Sequence, residues 1–205
     1  MRPVIGIGMV GYAFMGRTHS QAWRSVDAFF DLPFRPSMVA VAGRSAEATA
    51  QAAEKLGWAG AETDWKRLLD RDDVQVVDIC TPGDSHAEIA VAALAAGKHV
   101  ICEKPLANTV AEAEAMAVAA KEAAARGVRS MVAFNYRRVP AVALARRFVE
   151  EACSAISGMY GRSICRTGSS TRNSPWSGGS RRTRPALGPS ATSAPWAAWP
   201  STSSR

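Results

Sequence analysis

Five continuous apolar runs, each leading into a segment of helical character, constrain this chain more than any other feature. They are "VIGIGMV", "MVAVAG", "VQVVDIC", "HVICEKP" and "RSMVAFNY". A strand that is apolar throughout, without alternation, is one buried on both faces. Such strands alternating with helices build a parallel sheet covered on each side. The expected helices run over about 15–30, 46–56, 86–96 and 109–126, with a last one after Pro140. The fold class that follows is α/β, a doubly wound parallel sheet over residues 1–150. Ligands of such sheets lie beyond the carboxyl ends of the strands, where the chain crosses between faces.

The first run ends in "GIGMVGYAFMG", which holds two overlapping glycine-rich turns. A turn over Gly6–Gly11 would leave a strand of about three residues, too short for the centre of a sheet. A turn over Gly11–Gly16 leaves a strand from Val4 to Val10 and starts a helix near 13–15. The pattern is then G-x-A-x-x-G: Gly11 permits the tight turn, Ala13 allows close approach, and Gly16 lets the helix pack on the strand. The helix N-terminus offers unpaired N–H groups and partial positive charge to a pyrophosphate. The alternative is a purely structural strand-to-helix turn.

The second run ends in Gly43, Arg44 and Ser45, where a site that prefers NAD places a carboxylate for the ribose. With none here, a guanidinium is free to pair with a 2′-phosphate, and NADP is the expected cofactor, with NAD the alternative. The plainer reading makes Arg44 a solvated charge and Ser45 an N-cap. At the end of "HVICEKP", Lys104 stands on the ligand edge. There it can hydrogen-bond a substrate hydroxyl or help take its proton; a surface ion pair is the competing reading.

Charge divides the chain in two. All 18 acidic residues lie at or before Glu151, and the remainder carries seven arginines and no acid, so the first part is balanced at 18 against 18. The basic excess belongs to the segment 151–205, which is rich in Ser, Arg, Pro, Gly and Trp and reads as a disordered low-complexity tail. Arginines interleaved with Trp176, Trp196 and Trp199 are also the composition of a single-strand nucleic-acid binder, but the tail has a simpler explanation below, and no nucleic-acid partner is expected. No apolar run reaches membrane-spanning length, and no leader peptide is expected. The four cysteines lack zinc spacing, no metal site is expected, and a reducing cytoplasm fits best.

The stretches "GYAFMGRTHS", "VVDICTPGDSHAEIAVAALAAGKHVICEKPLA" and "FNYRRVPAV" resemble the glucose–fructose oxidoreductase / inositol dehydrogenase / MocA family of NAD(P)-dependent oxidoreductases. The resemblance covers about residues 3–150. It implies a Rossmann-type first domain, hydride transfer between a nicotinamide cofactor and a sugar or polyol, and a second α/β domain that often mediates oligomerisation. By motif, Gly11, Ala13, Phe14, Met15 and Gly16 would form the pyrophosphate loop, and Arg44 and Ser45 would read the adenosine ribose. Thr81, Pro82 and His86 would line the ribose and nicotinamide side, with Glu103 beside Lys104, the implied catalytic lysine. Asn135 and Arg137 resemble residues at the floor of the cleft; as a strand-end cap and a solvated charge they fit equally well.

The family carries an Asp and a His of its acid–base machinery in the second domain. This chain has no acid after Glu151 and no His after His99. Back-translated and read from the third base of each codon, "ACSAISGMYGRSICRTGSS" permits L-L-G-D-I-R-H-V-R-A-Q-Y-L-Q-D-W, and "RPALGPSATSA" permits G-S-G-A-L-G-D-I-G, both family-like. The expectation is that the tail is an out-of-frame translation of a normal second domain, and that a homo-oligomer would form only with that domain present. Two functions remain open: an oxidoreductase acting on a sugar or polyol, or a dinucleotide-binding module without catalysis.

Overall fold

The computed structural model describes residues 1–152. Two compact units divide them, Met1–Ala133 and the stretch from Phe134 onward. The expected basic tail and its out-of-frame origin concern positions that, from 153 on, lie outside the described residues.

In the first unit, strands and helices alternate as β1 (Val4–Val10), α1 (Phe14–Phe29), β2 (Arg35–Ala42), α2 (Ala46–Leu56), β3 (Gly60–Glu62) and α3 (Lys66–Leu69), followed by β4 (Val76–Ile79), α4 (His86–Ala95), β5 (His99–Cys102), α5 (Val110–Ala125) and β6 (Ser130–Val132). The strands form one parallel sheet in the order β3-β2-β1-β4-β5-β6. This is the Rossmann arrangement, and the order reverses between β1 and β4, where the carboxyl ends of the strands open a crevice.

Both faces of the sheet are covered. Ile7, Met9, Val41 and Val76 pack with Leu56 and Trp58 and with Met15 and Trp23 of α1. On the other face Val77, Ile79, Val100 and Cys102 meet Ile89, Ala93 and Leu94 of α4 and Met116, Ala120 and Ala123 of α5. Two-sided burial explains the unbroken apolar runs.

Local signals fix the helix ends. Ser45 caps α2, and Gly57 closes it in the left-handed conformation. Thr109 and Glu112 form a capping box at the start of α5, the amide of Glu112 donating to the Thr109 hydroxyl and that of Thr109 to the Glu112 carboxylate. Neither β3 nor α3 carries a signal in the sequence. "GAE" contains no β-branched residue, and β3 exists because its backbone pairs with Ala40–Ala42 of β2. Likewise β2 begins at Arg35, upstream of its apolar run, because that end pairs with Val4 of β1.

In the second unit, a 3₁₀ turn over Asn135–Arg138 precedes α6 (Pro140–Ala152). Among the described residues no helix is long and apolar enough to cross a membrane.

Candidate functional site

The second glycine turn is the one that joins β1 to α1. Gly11 has φ +93°, a conformation side chains rarely adopt, and its N–H donates to the carbonyl of Ala42 at 2.9 Å. A Cβ on Gly16 would strike the carbonyl oxygen of Gly11, so the first turn of α1 presses directly on the loop. Ala13 stands at the N-cap of α1 without a side-chain cap, and Ala13 and Phe14 are exposed. The leading amides of α1 therefore face the crevice with no side chain competing for them, a cradle that fits a pyrophosphate.

At the end of β2, Gly43 packs against Tyr12, whose ring a side chain at 43 would overlap. Arg44 is exposed. Ser45 Oγ accepts the amide of Ala48, so its side chain serves the start of α2.

The loops after β4 and β5 are tied together by His86. Its Nε2 lies 2.8 Å from the carbonyl of Thr81 and its Nδ1 2.9 Å from the carbonyl of Pro105. At 1% exposure His86 is a buried clamp between the two loops. Thr81 accepts the hydroxyl of Ser85 at 2.7 Å, and Pro82 is exposed beside it.

Lys104 follows β5 and is exposed at the crevice edge, whereas Glu103 before it is buried. Oε2 of Glu103 accepts the Lys104 backbone N–H at 3.0 Å, and its Oε1 lies 3.1 Å from Nε2 of His19 on α1. The other ring nitrogen, Nδ1, is 3.0 Å from both oxygens of Asp78, a β4 residue with no solvent exposure. Asp78 also accepts the indole N–H of Trp23 at 2.7 Å and the thiol of Cys80 at 3.6 Å. Burial drives the His19 pKa down, but the two carboxylates outweigh it, and the net direction is upward. Burial foremost, with the nearby carboxylates, raises both thiols: Cys80 far above its ordinary range and Cys102 up to about 12.

His19, Asp78 and Trp23 went unassigned from sequence, although an Asp inside "VQVVDIC" was a signal: a fully buried Asp is rare unless partnered. His19, Asp78 and Cys80 bring ligand-type atoms within 4.8 Å of one another. Within the group, His19 and the Cys80 thiol are each hydrogen-bonded to Asp78. Asn135 and Arg137 lie in the 3₁₀ turn of the second unit, both exposed.

Comparison with known proteins agrees with this fold. The model of the Gfo/Idh/MocA "Oxidoreductase family, NAD-binding Rossmann fold" matches residues 5–134. Levoglucosan dehydrogenase of Pseudarthrobacter phenanthrenivorans is 46% identical over 148 residues, which are 72% of this chain and 37% of that protein. A solved oxidoreductase domain protein from Kribbella flavida is 69% identical with a TM-score of 0.72, covering 73% of this chain and 40% of the other. A levoglucosan dehydrogenase solved with NADH and levoglucosan is 44% identical with a TM-score of 0.71, covering 74% and 40%. The chain thus spans well under half the length of each of these relatives.

Proposed function

The chain belongs to the Gfo/Idh/MocA family of oxidoreductases, and from that premise we propose that it holds a nicotinamide dinucleotide across the β1/β4 crevice for hydride exchange with a sugar or polyol. The observation that carries this reading is the pairing of the uncapped α1 N-terminus behind Gly11–Gly16 with an exposed lysine at the end of the neighbouring β5. The sugar or polyol class rests on the family resemblance and on the levoglucosan relative.

The nicotinamide cofactor, when bound, supplies the hydride chemistry. The chain's own residues orient and exchange protons. The amides of Ala13, Phe14, Met15 and Gly16 hold the pyrophosphate, and His86 fixes the Thr81–Pro82 loop against Pro105 along the crevice. Lys104 Nζ hydrogen-bonds the reacting oxygen, as the free amine taking the hydroxyl proton on oxidation and as the ammonium giving it back on reduction. Arg44 pairs with a 2′-phosphate, which favours NADP. The support is that Gly43, Arg44 and Ser45 include no carboxylate and that Tyr12 fills the space a side chain at 43 would need; the NADH-bound relative speaks for NAD. The buried free thiols Cys80 and Cys102 suit a reducing cytoplasm.

Steady-state reduction of NADP and NAD against a panel of sugars and polyols tests the reading. Turnover by the chain that Lys104→Ala lowers by about 10²-fold or more supports it. A second reading, dinucleotide binding without turnover, needs only the Gly11–Gly16 turn and the uncapped N-terminus of α1. It predicts NAD(P)H binding with no reduction of either cofactor by any member of the panel.

A further inference from the structure

The His19 cluster takes no part in the proposed proton exchange, yet it ends at the residue that does. Both ring nitrogens of His19 face carboxylate oxygens, Nδ1 toward Asp78 and Nε2 toward Glu103. A neutral imidazole has one N–H, so one of these contacts would set a lone pair against a carboxylate. A proton on each nitrogen turns both into charge-assisted hydrogen bonds. The groups facing the ring are Asp78 and Cys80 from β4, Glu103 from the end of β5 with the Cys102 thiol near both carboxylates, and Trp23 from α1 itself. The thiols are neutral, and no cation among these groups opposes the imidazolium.

Glu103 is therefore gripped at both oxygens, Oε1 by His19 and Oε2 by the N–H of Lys104. We propose that His19, as an imidazolium bridging Asp78 and Glu103, is a positioning residue for Lys104 and acts through Glu103; the inference rests on the role given to Lys104 above. Loss of the Nε2 proton contact releases Oε1, lets the carboxylate turn, and slackens the amide contact that orients the start of the Lys104 loop. The device links α1, which carries the phosphate loop, to the strand end that carries the lysine.

The test is a nuclear magnetic resonance titration of the 205-residue chain, following the His19 ring nitrogens and the Lys104 backbone amide from about pH 6 to about pH 10. The expected result is a doubly protonated His19 at neutral pH, and a Lys104 amide resonance that moves with the same midpoint as the ring, above the ordinary 6.5. In His19→Gln, which does not titrate, that step in the Lys104 amide is lost. A Lys104 amide that stays fixed while His19 titrates, a His19 that is neutral throughout, or a step that persists in His19→Gln would overturn the proposal. Should the variant not fold, the titration of the unaltered chain decides alone. NADH and NADPH binding, followed by fluorescence in the same samples, separates the two claims. Coupled resonances with binding of neither NADH nor NADPH sink the functional reading and leave the coupling intact. Binding of either with an indifferent Lys104 amide does the reverse.

Discussion

Trp23 on α1 donates its indole N–H to Oδ2 of Asp78 on β4 at 2.7 Å, joining a helix to a carboxylate that no solvent reaches. An ionised carboxylate buried in a parallel sheet is costly unless its oxygens are satisfied. Here Trp23, His19 and Cys80 together provide the donors. Trp23→Phe keeps most of the packing and removes one donor to a charged group. It is expected to destabilise the first unit by about 1.5–3 kcal/mol. Urea denaturation measures this, and a loss below about 0.5 kcal/mol would show that the bond contributes little.

Gly16→Ala places a methyl group against the carbonyl oxygen of Gly11. Backbone faces it, so the loop itself has to move. NADH affinity should fall by about tenfold or more, since a tenfold loss needs only about 1.4 kcal/mol of displaced amide contacts. Fluorescence titration reads the affinity, and unchanged binding would remove the pyrophosphate from this turn.

Arg44→Ala should weaken NADPH binding by roughly tenfold while leaving NADH within about twofold, because only the former offers a 2′-phosphate to the guanidinium. Dissociation constants for both cofactors check this. Tighter NADH than NADPH binding in the unaltered chain would refute the use of Arg44.

Two histidines give the unit opposite pH dependences. His99 is lowered, by burial first and then by the Arg129 charge, and its Nδ1 accepts the Arg129 amide at 2.9 Å. Its contribution is present above the ordinary 6.5 and lost as pH falls through the depressed folded value. His19, raised, contributes fully below 6.5 and loses that contribution as pH rises through its elevated folded value. Urea midpoints should therefore drop on the acid side in the unaltered chain and less so in His99→Gln. The alkaline drop should shrink in His19→Gln. Parallel curves for all three proteins would contradict both assignments.

Thr109→Ala removes the hydroxyl of the capping box at α5. The expected loss is about 1 kcal/mol, with NADH affinity unchanged, as measured by thermal unfolding and fluorescence.

Local pattern was enough for much of this architecture. The length of an apolar run decided between the two glycine turns, and the strand is Val4–Val10 with Gly11 at its end. Ser45 and Thr109 marked the starts of α2 and α5 because a cap acts on amides within three residues of itself. The strand end bearing Lys104 was legible for the same reason. The contact of Glu103 was not: its expected place beside Lys104 at the cofactor gave no sign of the bond to His19. That partner lies 84 positions away, and Asp78 lies 59 from His19.

The sequence by itself thus determined the α/β alternation, the Gly11–Gly16 turn and the lysine at the end of β5, since each depends on contacts within one element or one turn. Only the tertiary structure decided the strand order, the existence of β3, and the joining of His19, Asp78 and Glu103 into one buried cluster. Those features depend on which elements the parallel crossovers bring side by side, and burial then makes unpaired charges costly enough to enforce the pairing.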